Sequence, residues 1–88
     1  MEGPDLSEVL EPETGVPVVE LGLVREGEDG TLYYKPISPY TPQILVIALG
    51  IELVLYTRRR VKLENYYLEE EINKRLEMLY EAISDQTT

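Results

Sequence analysis

The sequence contains no cysteine and no histidine, and phenylalanine and tryptophan are also missing. Without thiol or imidazole groups, one chain cannot form a disulfide, a thiolate nucleophile or an imidazole base. Cys/His zinc sites, histidine-ligated haem and all-cysteine iron–sulfur sites are excluded for the same reason. Positive charge is scarce too, with 8 Lys and Arg against 17 Asp and Glu and a formal net charge of −9. Because nucleic-acid affinity comes mainly from cations that neutralise phosphates, this balance argues against a nucleic-acid-binding protein.

What is present is the composition of one small folded domain. The chain has 88 residues, of which 43% are hydrophobic and 28% charged, so we predict a single domain over 1–88 with flexible ends at 1–4 and 85–88. The first residues show neither a basic segment nor an apolar segment of a secretory signal, and we therefore expect a cytoplasmic protein. The longest apolar run, Ile44–Tyr56, is interrupted by Glu52. It is shorter than the roughly 20 residues of a membrane span and predicts a buried helix.

The first half of the chain predicts a short helix and a hairpin. Asp5–Leu10 has a capping aspartate and one apolar face, and Pro12 ends the pattern. Pro17–Arg25 is rich in β-branched residues and predicts a strand, with Gly22 marking a bulge or a close backbone approach. The Asp29-Gly30 pair favours a hairpin turn, after which Thr31–Ile37 forms the partner strand.

The second half predicts a helix, a strand and a second helix. Thr41 is the expected N-cap of the first helix, which should be buried on most sides. The apolar run places Ile44, Ile47, Ile51, Val54 and Leu55 at helical spacing, and the opposite side, with Leu45, Leu49 and Glu52, is also mostly apolar. Arg58–Arg60 is interpreted as a solvated turn, with an acidic partner patch as the alternative. Val61–Glu64 alternates like a strand.

The last helix is expected over 67–84, because Leu68, Ile72, Leu76, Leu79 and Ile83 form one apolar face. The predicted fold class is therefore α+β in two layers, with element order α-β-β-α-β-α. A hairpin followed by a helical crossover gives a small three-stranded mixed sheet, and the helices cover it.

Two segments resemble a known family. Glu11-Pro12-Glu13, Gly15 and Glu20-Leu21-Gly22-Leu23-Val24 are similar to the opening of the metal–sulfur cluster assembly domain family. This family contains the phenylacetate-degradation protein D-like and cytosolic iron–sulfur assembly proteins. Ile37–Pro42 is similar to the family's Thr/Ser-Pro-x-Cys-Pro loop, which leads into a long helix. The resemblance covers roughly residues 5 to 84.

The chain departs from the family pattern at Thr41, which stands where the family has its reactive cysteine. A thiolate is a soft iron ligand that forms near neutral pH, whereas an unactivated hydroxyl stays protonated. The resemblance places the family-site positions at Glu11, Glu13, Glu20, Ser38 and Thr41. It implies that the fold and the partner surfaces persist while cluster ligation is lost.

We therefore expect a non-catalytic adaptor that resembles iron–sulfur assembly factors, with protein partners and with no cofactor, metal, nucleic acid or membrane. The alternative is a homo-oligomeric structural or protein-interaction module, such as a homodimer, that uses an exposed sheet edge or a tyrosine-bearing strand. Its candidate interface residues are Tyr33, Tyr34, Tyr66 and Tyr67. Two weaker alternatives use the three glutamates, either to hold a hard cation or as a general acid and base.

Overall fold

In the computed structural model, which describes residues 6–85, the chain forms the predicted α+β fold. The predicted Asp5 cap and the tails at 1–4 and 86–88 lie outside the described residues. A 3-10 turn at Leu6–Glu8 comes first. The regular elements are β1 Val24–Glu26, β2 Leu32–Tyr34, α1 Gln43–Thr57, β3 Val61–Leu63 and α2 Glu69–Asp85. Asp85, which we expected in the flexible tail, is the last residue of α2.

The three strands form one mixed sheet in the order β1-β2-β3. β1 and β2 are antiparallel and pair Val24 with Tyr34, which confirms the predicted hairpin. β2 and β3 are parallel and pair Tyr34 with Leu63. Parallel strands need a crossover connection, and α1, which lies between β2 and β3 in the chain, provides it.

The hairpin turn is closed by backbone and side-chain hydrogen bonds. Gly27 N–H donates to the Thr31 carbonyl at 2.7 Å, and Thr31 N–H donates to Asp29 Oδ1 at 3.0 Å. The hydrogen bond from the Thr31 N–H lowers the pKa of Asp29. Gly30 has φ 87°, a conformation that side chains disfavour, which explains the Asp-Gly pair.

The predicted strand Pro17–Arg25 is wrong for most of its length, because 18–22 forms turns and only Val24–Glu26 pairs with β2. Glu20 N–H donates to the Pro17 carbonyl at 3.0 Å. Gly22 has φ 67°, so it belongs to a turn and not to a strand bulge. The predicted helix over Asp5–Leu10 shrinks to the 3-10 turn, and Leu10 instead forms an isolated bridge with Pro17.

The core lies between the sheet and the two long helices. Leu32 and Tyr34 of β2 and Val61 and Leu63 of β3 are buried. The predicted apolar face of α2 is confirmed: Ile72, Leu76 and Ile83 are buried, and Leu68 and Leu79 pack against the core as partly buried residues.

The prediction that α1 is buried on most sides is wrong. The helix turns Val46, Leu49, Gly50, Leu53 and Val54 towards the core. Of the five residues noted at helical spacing, Val54 is buried and Ile47 is partly buried against the core. Ile44, Ile51 and Leu55 are exposed by 74%, 38% and 49%. The helix therefore presents an apolar side to solvent.

The two ends of α1 also differ from the prediction. Pro42, and not Thr41, is the N-cap residue, and no side chain caps the helix. At the other end Arg58 adopts the left-handed conformation with φ 59°, and its N–H donates to the Val54 carbonyl at 2.8 Å. This bond satisfies a carbonyl that the helix end leaves without an intrahelical partner.

The arginines after α1 are not a solvated turn, which corrects the prediction for two of the three. Arg59 donates to the Gly30 carbonyl at 2.9 and 2.6 Å and to Glu26 at 2.6 Å, so it ties α1 to the hairpin turn. Arg60 forms a bidentate pair with Glu77 of α2 at 2.8 and 2.9 Å. Only Arg58 is exposed.

The outer side of β3 is bonded to α2 by one side chain. Leu63 N–H donates to Asn73 Oδ1 at 2.7 Å, and Asn73 Nδ2 donates back to the Leu63 carbonyl at 3.1 Å. Both backbone groups of Leu63 are therefore paired within the chain. This weakens the expectation that oligomers form along this sheet edge.

β2 and α1 pack closely at Tyr34 and Gly50. The Tyr34 hydroxyl donates to the Val46 carbonyl at 2.8 Å, and burial raises the pKa of Tyr34, so the hydroxyl stays protonated. Gly50 lies one helical turn further along. A Cβ on Gly50 would collide with the Tyr34 hydroxyl and would lie 2.9 Å from Leu76 Cδ1 of α2.

We predict that Gly50→Ala destabilises the protein by about 1–3 kcal/mol, because the added methyl displaces Tyr34 and Leu76. Helix propensity alone predicts that the substitution stabilises the protein by about 1 kcal/mol. The sign of the change in unfolding free energy therefore distinguishes the two effects. In a Tyr34→Phe background the colliding oxygen is absent, and the same substitution should cost clearly less. Urea unfolding of the four proteins measures this coupling, and strictly additive losses would contradict it.

The Arg60–Glu77 pair predicts a pH dependence. The hydrogen bond from Arg60 lowers the pKa of Glu77. The pair's stabilisation is therefore present above the pKa of an unfolded glutamate, about 4.3, and is lost as the pH falls through the lowered folded value. Glu77→Gln should lower the melting temperature at neutral pH, and the difference from the parent should vanish in acid. Glu28→Gln is the control, because it removes the same charge elsewhere. An equal change in its melting temperature would attribute the effect to net charge and not to the Arg60–Glu77 pair.

Candidate functional site

The candidate site is built from three segments that meet before the start of α1. They are the turn at 11–14, the loop at 38–42 and Tyr66, which precedes α2. We call the residues that join them the Thr41 cluster: Glu11, Glu13, Ser38, Thr41 and Tyr66. Of the five predicted family-site positions, the structure brings Glu13, Ser38 and Thr41 into contact, and Glu11 supports them from the turn.

Glu11 holds the turn together. Its side chain is 2% exposed, and its Oε1 accepts N–H bonds from Glu13 at 3.0 Å and Thr14 at 2.7 Å. Gly15 N–H donates to the Glu11 carbonyl at 2.8 Å, and Gly15 has φ 73°. The Glu11 carboxylate therefore serves the backbone and fixes where Glu13 lies.

The loop at 38–42 is closed by its own hydroxyl groups. Thr41 Oγ1 accepts the Ser38 N–H at 3.2 Å, and Ser38 Oγ accepts the Tyr40 N–H at 3.0 Å. Thr41 N–H donates to the Ser38 carbonyl at 3.1 Å. The flanking Pro39 and Pro42 restrict the backbone, which favours a rigid turn. The hydroxyl that we expected to cap α1 closes this turn instead.

Thr41 joins the loop to the other two segments. Its hydroxyl donates to Glu13 Oε1 over a long 3.5 Å, and its carbonyl accepts the Tyr66 hydroxyl at 2.8 Å. Burial raises the pKa of Tyr66, which keeps this donor protonated. Thr41 itself is only 5% exposed. A buried hydroxyl engaged on both sides is a structural link and lacks the imidazole that usually activates such a nucleophile.

The glutamates do not form a cation site. Glu20 is exposed in the turn at 18–22, and Glu11 is engaged with backbone amides. Among residues 6–85, no three acidic side chains come close enough together to hold a metal ion. The hard-cation alternative therefore has no geometric basis in the described part of the chain.

Two of the four tyrosines proposed as interface residues are buried, which corrects that prediction. Tyr34 is 1% exposed and Tyr66 is 7% exposed, and both donate to backbone carbonyls. Tyr33 is half-buried beneath Arg25, whose guanidinium lies 4.3 Å from the ring centroid. Tyr67 is 79% exposed.

Sequence reasoning missed Tyr66 as a partner of Thr41 and missed the exposed side of α1. No local pattern signals the first, because a tyrosine 25 positions away gives no hint of its partner. The sequence did contain a signal for the exposed side of α1. Ile44, Ala48, Ile51 and Leu55 repeat at four, three and four residues, which is the spacing of a helix–helix seam.

No family model matches the chain, and comparisons with curated proteins and with solved structures give no match either. The resemblance to the cluster assembly family therefore remains a prediction from the residues quoted above. Within residues 6–85, no helix is both long and apolar enough to cross a membrane.

We predict that Glu11→Ala destabilises the protein by about 1–3 kcal/mol, because it leaves the Glu13 and Thr14 amides without their acceptor. Glu20→Ala is the matched control: it removes an exposed carboxylate and should change stability by less than about 0.5 kcal/mol. Chemical denaturation measures both. A loss for Glu11→Ala no larger than that of the control would refute the structural role of Glu11.

Proposed function

We propose that this chain is a non-catalytic accessory protein of iron–sulfur cluster assembly that acts in the cytoplasm through protein partners. The observation that carries the proposal is the environment of Thr41. At the loop position where the resembling family has its cysteine, a buried hydroxyl is bonded to Ser38 and lies beside the Glu13 carboxylate. On this proposal the chain keeps the family's loop and lacks the group that would bind iron.

The chemistry of Thr41 supports an accessory role. A neutral hydroxyl is a poor ligand for iron in a cluster, where thiolates are preferred. The Glu13 carboxylate accepts a bond from Thr41 over 3.5 Å, a distance too long for a strong hydrogen bond. Direct ligation of a cluster by this chain alone therefore has little support.

An enzyme built on paired carboxylates has less support. A general acid and base pair needs two carboxyl groups that both face a substrate. Glu11 is buried and bonded to backbone amides, so only Glu13 of this pair is exposed. Glu20 lies in a different turn, where its backbone N–H bonds to Pro17.

The Thr41 environment predicts how iron uptake responds to one substitution. In anaerobic reconstitution with iron, sulfide and glutathione, the parent chain should bind no stoichiometric iron. Thr41→Cys should gain bound iron and a visible chromophore, because a thiolate then stands beside the Glu13 carboxylate. Thr41→Ser keeps a hydroxyl and is the matched control. Stoichiometric iron in the parent chain, or equal uptake by all three proteins, would contradict the proposal.

The accessory role itself is tested in the host cell. Deleting the gene should lower the activity of iron–sulfur enzymes, while the activity of enzymes without clusters stays unchanged. The parent chain and Thr41→Ser should both restore the lost activity, because neither depends on a thiol. Unchanged iron–sulfur enzyme activity after deletion would reject the role in cluster assembly.

A further inference from the structure

The exposed side of α1 is organised as a seam. We call Ile44, Ala48, Ile51 and Leu55 the α1 stripe. All four are exposed, and their four-three-four spacing places them along one line of the helix. Glu52, beside the stripe, is the one charged residue within α1. Contiguous exposed apolar surface of this kind marks an interaction site.

We propose that a second copy of this chain covers the α1 stripe, with the two α1 helices antiparallel about a two-fold axis. A two-fold contact uses the same surface on both copies, and the α1 stripe suits this because its spacing reads the same in both directions. With the axis between Ala48 and Ile51, Ala48 faces Ile51 of the second copy, and Ile44 faces Leu55. Each small residue thereby meets a large one.

Charge complementarity selects this occupant and this orientation. Arg58 is exposed just beyond the C-terminal end of α1. Glu13 is exposed and lies at the opposite end, where it contacts Thr41 just before the helix. In the antiparallel pair, Arg58 lies opposite position 41 of the second copy and so reaches its Glu13. A parallel pair would instead place the two Arg58 side chains together, which like-charge repulsion disfavours.

The same charges make a membrane a poor occupant. The chain carries a formal net charge of −9, which anionic lipid surfaces repel. Membrane-surface helices carry lysines and arginines beside their apolar face. α1 itself contains none, and the nearest group begins at Arg58, beyond its C-terminal end.

The size of the α1 stripe sets the expected affinity. The 15 residues of α1 span about 22 Å, and four side chains per copy bury less area than a standard interface of roughly 1,600 Å². We therefore expect a reversible dimer with a dissociation constant in the micromolar range, about 1–100 μM.

Sedimentation equilibrium over a concentration series tests the association. The parent should pass from monomer to dimer, while Ile44→Glu and Ile51→Glu should weaken dimerisation by at least about tenfold. Met78→Glu is the matched control, since Met78 is 69% exposed on α2. Circular dichroism verifies that each variant is folded, and using two stripe positions guards against one that fails to fold. A parent that stays monomeric to millimolar concentration, or a dimer insensitive to both stripe substitutions, overturns the proposal.

Charge reversal tests the predicted ion pairs. Arg58→Glu and Glu13→Lys should each weaken the dimer, and the double variant should recover much of the loss because the pair is restored with opposite signs. Losses that simply add would reject the Arg58–Glu13 contact.

Spin labelling tests the orientation, and the cysteine-free chain allows a single label site. In Gln43→Cys, the labels of an antiparallel dimer lie about 20 Å apart along the helix axis, because position 43 faces position 56. In a parallel dimer they lie side by side, and a short label–label distance would therefore reject the antiparallel arrangement.

Anionic and neutral lipid vesicles provide the competing occupant. The dimer would be overturned if the parent is monomeric in solution and co-sediments with vesicles, and if Ile44→Glu abolishes that co-sedimentation. These measurements need no iron and no host cell, so the dimer and the cluster assembly role can fail separately.

Discussion

The hydrogen bond from Tyr34 to the Val46 carbonyl holds the layers of this fold in register. It joins the middle strand of the sheet to α1 at a buried point, and it requires a glycine one helical turn away. Leu76 of α2 packs against the same glycine. Strand, helix and second helix therefore meet at one place, where no residue larger than glycine fits without movement. The orientation of α1, including which of its sides stays outside, follows from this contact.

The elements that could be predicted are those whose pattern distinguishes one side from the other. In α2, apolar residues recur every three or four positions among charged ones, so its buried face follows from the helical period. The Asp29-Gly30 turn and β3 have similarly clear signals. α1 is apolar on almost every side, and its period alone cannot identify the buried face. Its orientation depends on Gly50, and the importance of a glycine in a helix is visible only once Tyr34 is known to lie against it.

Most of the residues of the candidate site could be predicted from the sequence, but the hydrogen bonds between them could not. The resemblance grouped Glu13, Ser38 and Thr41, which the structure brings together, and also Glu20, which it does not. Local sequence could not show that Glu11 would serve the amides of its own turn, nor that Tyr66 would reach the Thr41 carbonyl. The Tyr66 contact depends on how segments 25 positions apart pack. The Glu11 bonds span only two and three residues and depend on the conformation of their own turn. Proline and glycine at 12, 15 and 17 favour turns more strongly than the β-branched residues after them favour a strand, which is why the first predicted strand was too long.

Asn73 has a consequence for how far any assembly of this chain can grow. Its amide bonds both backbone groups of Leu63 and so takes the place that the next strand of a neighbouring molecule would occupy. Sheet extension from molecule to molecule is blocked at this edge. In the proposed dimer, contacts through α1 would be used up when two copies meet. Together these features favour an assembly that closes at a pair over one that continues through α1 or through the β3 edge.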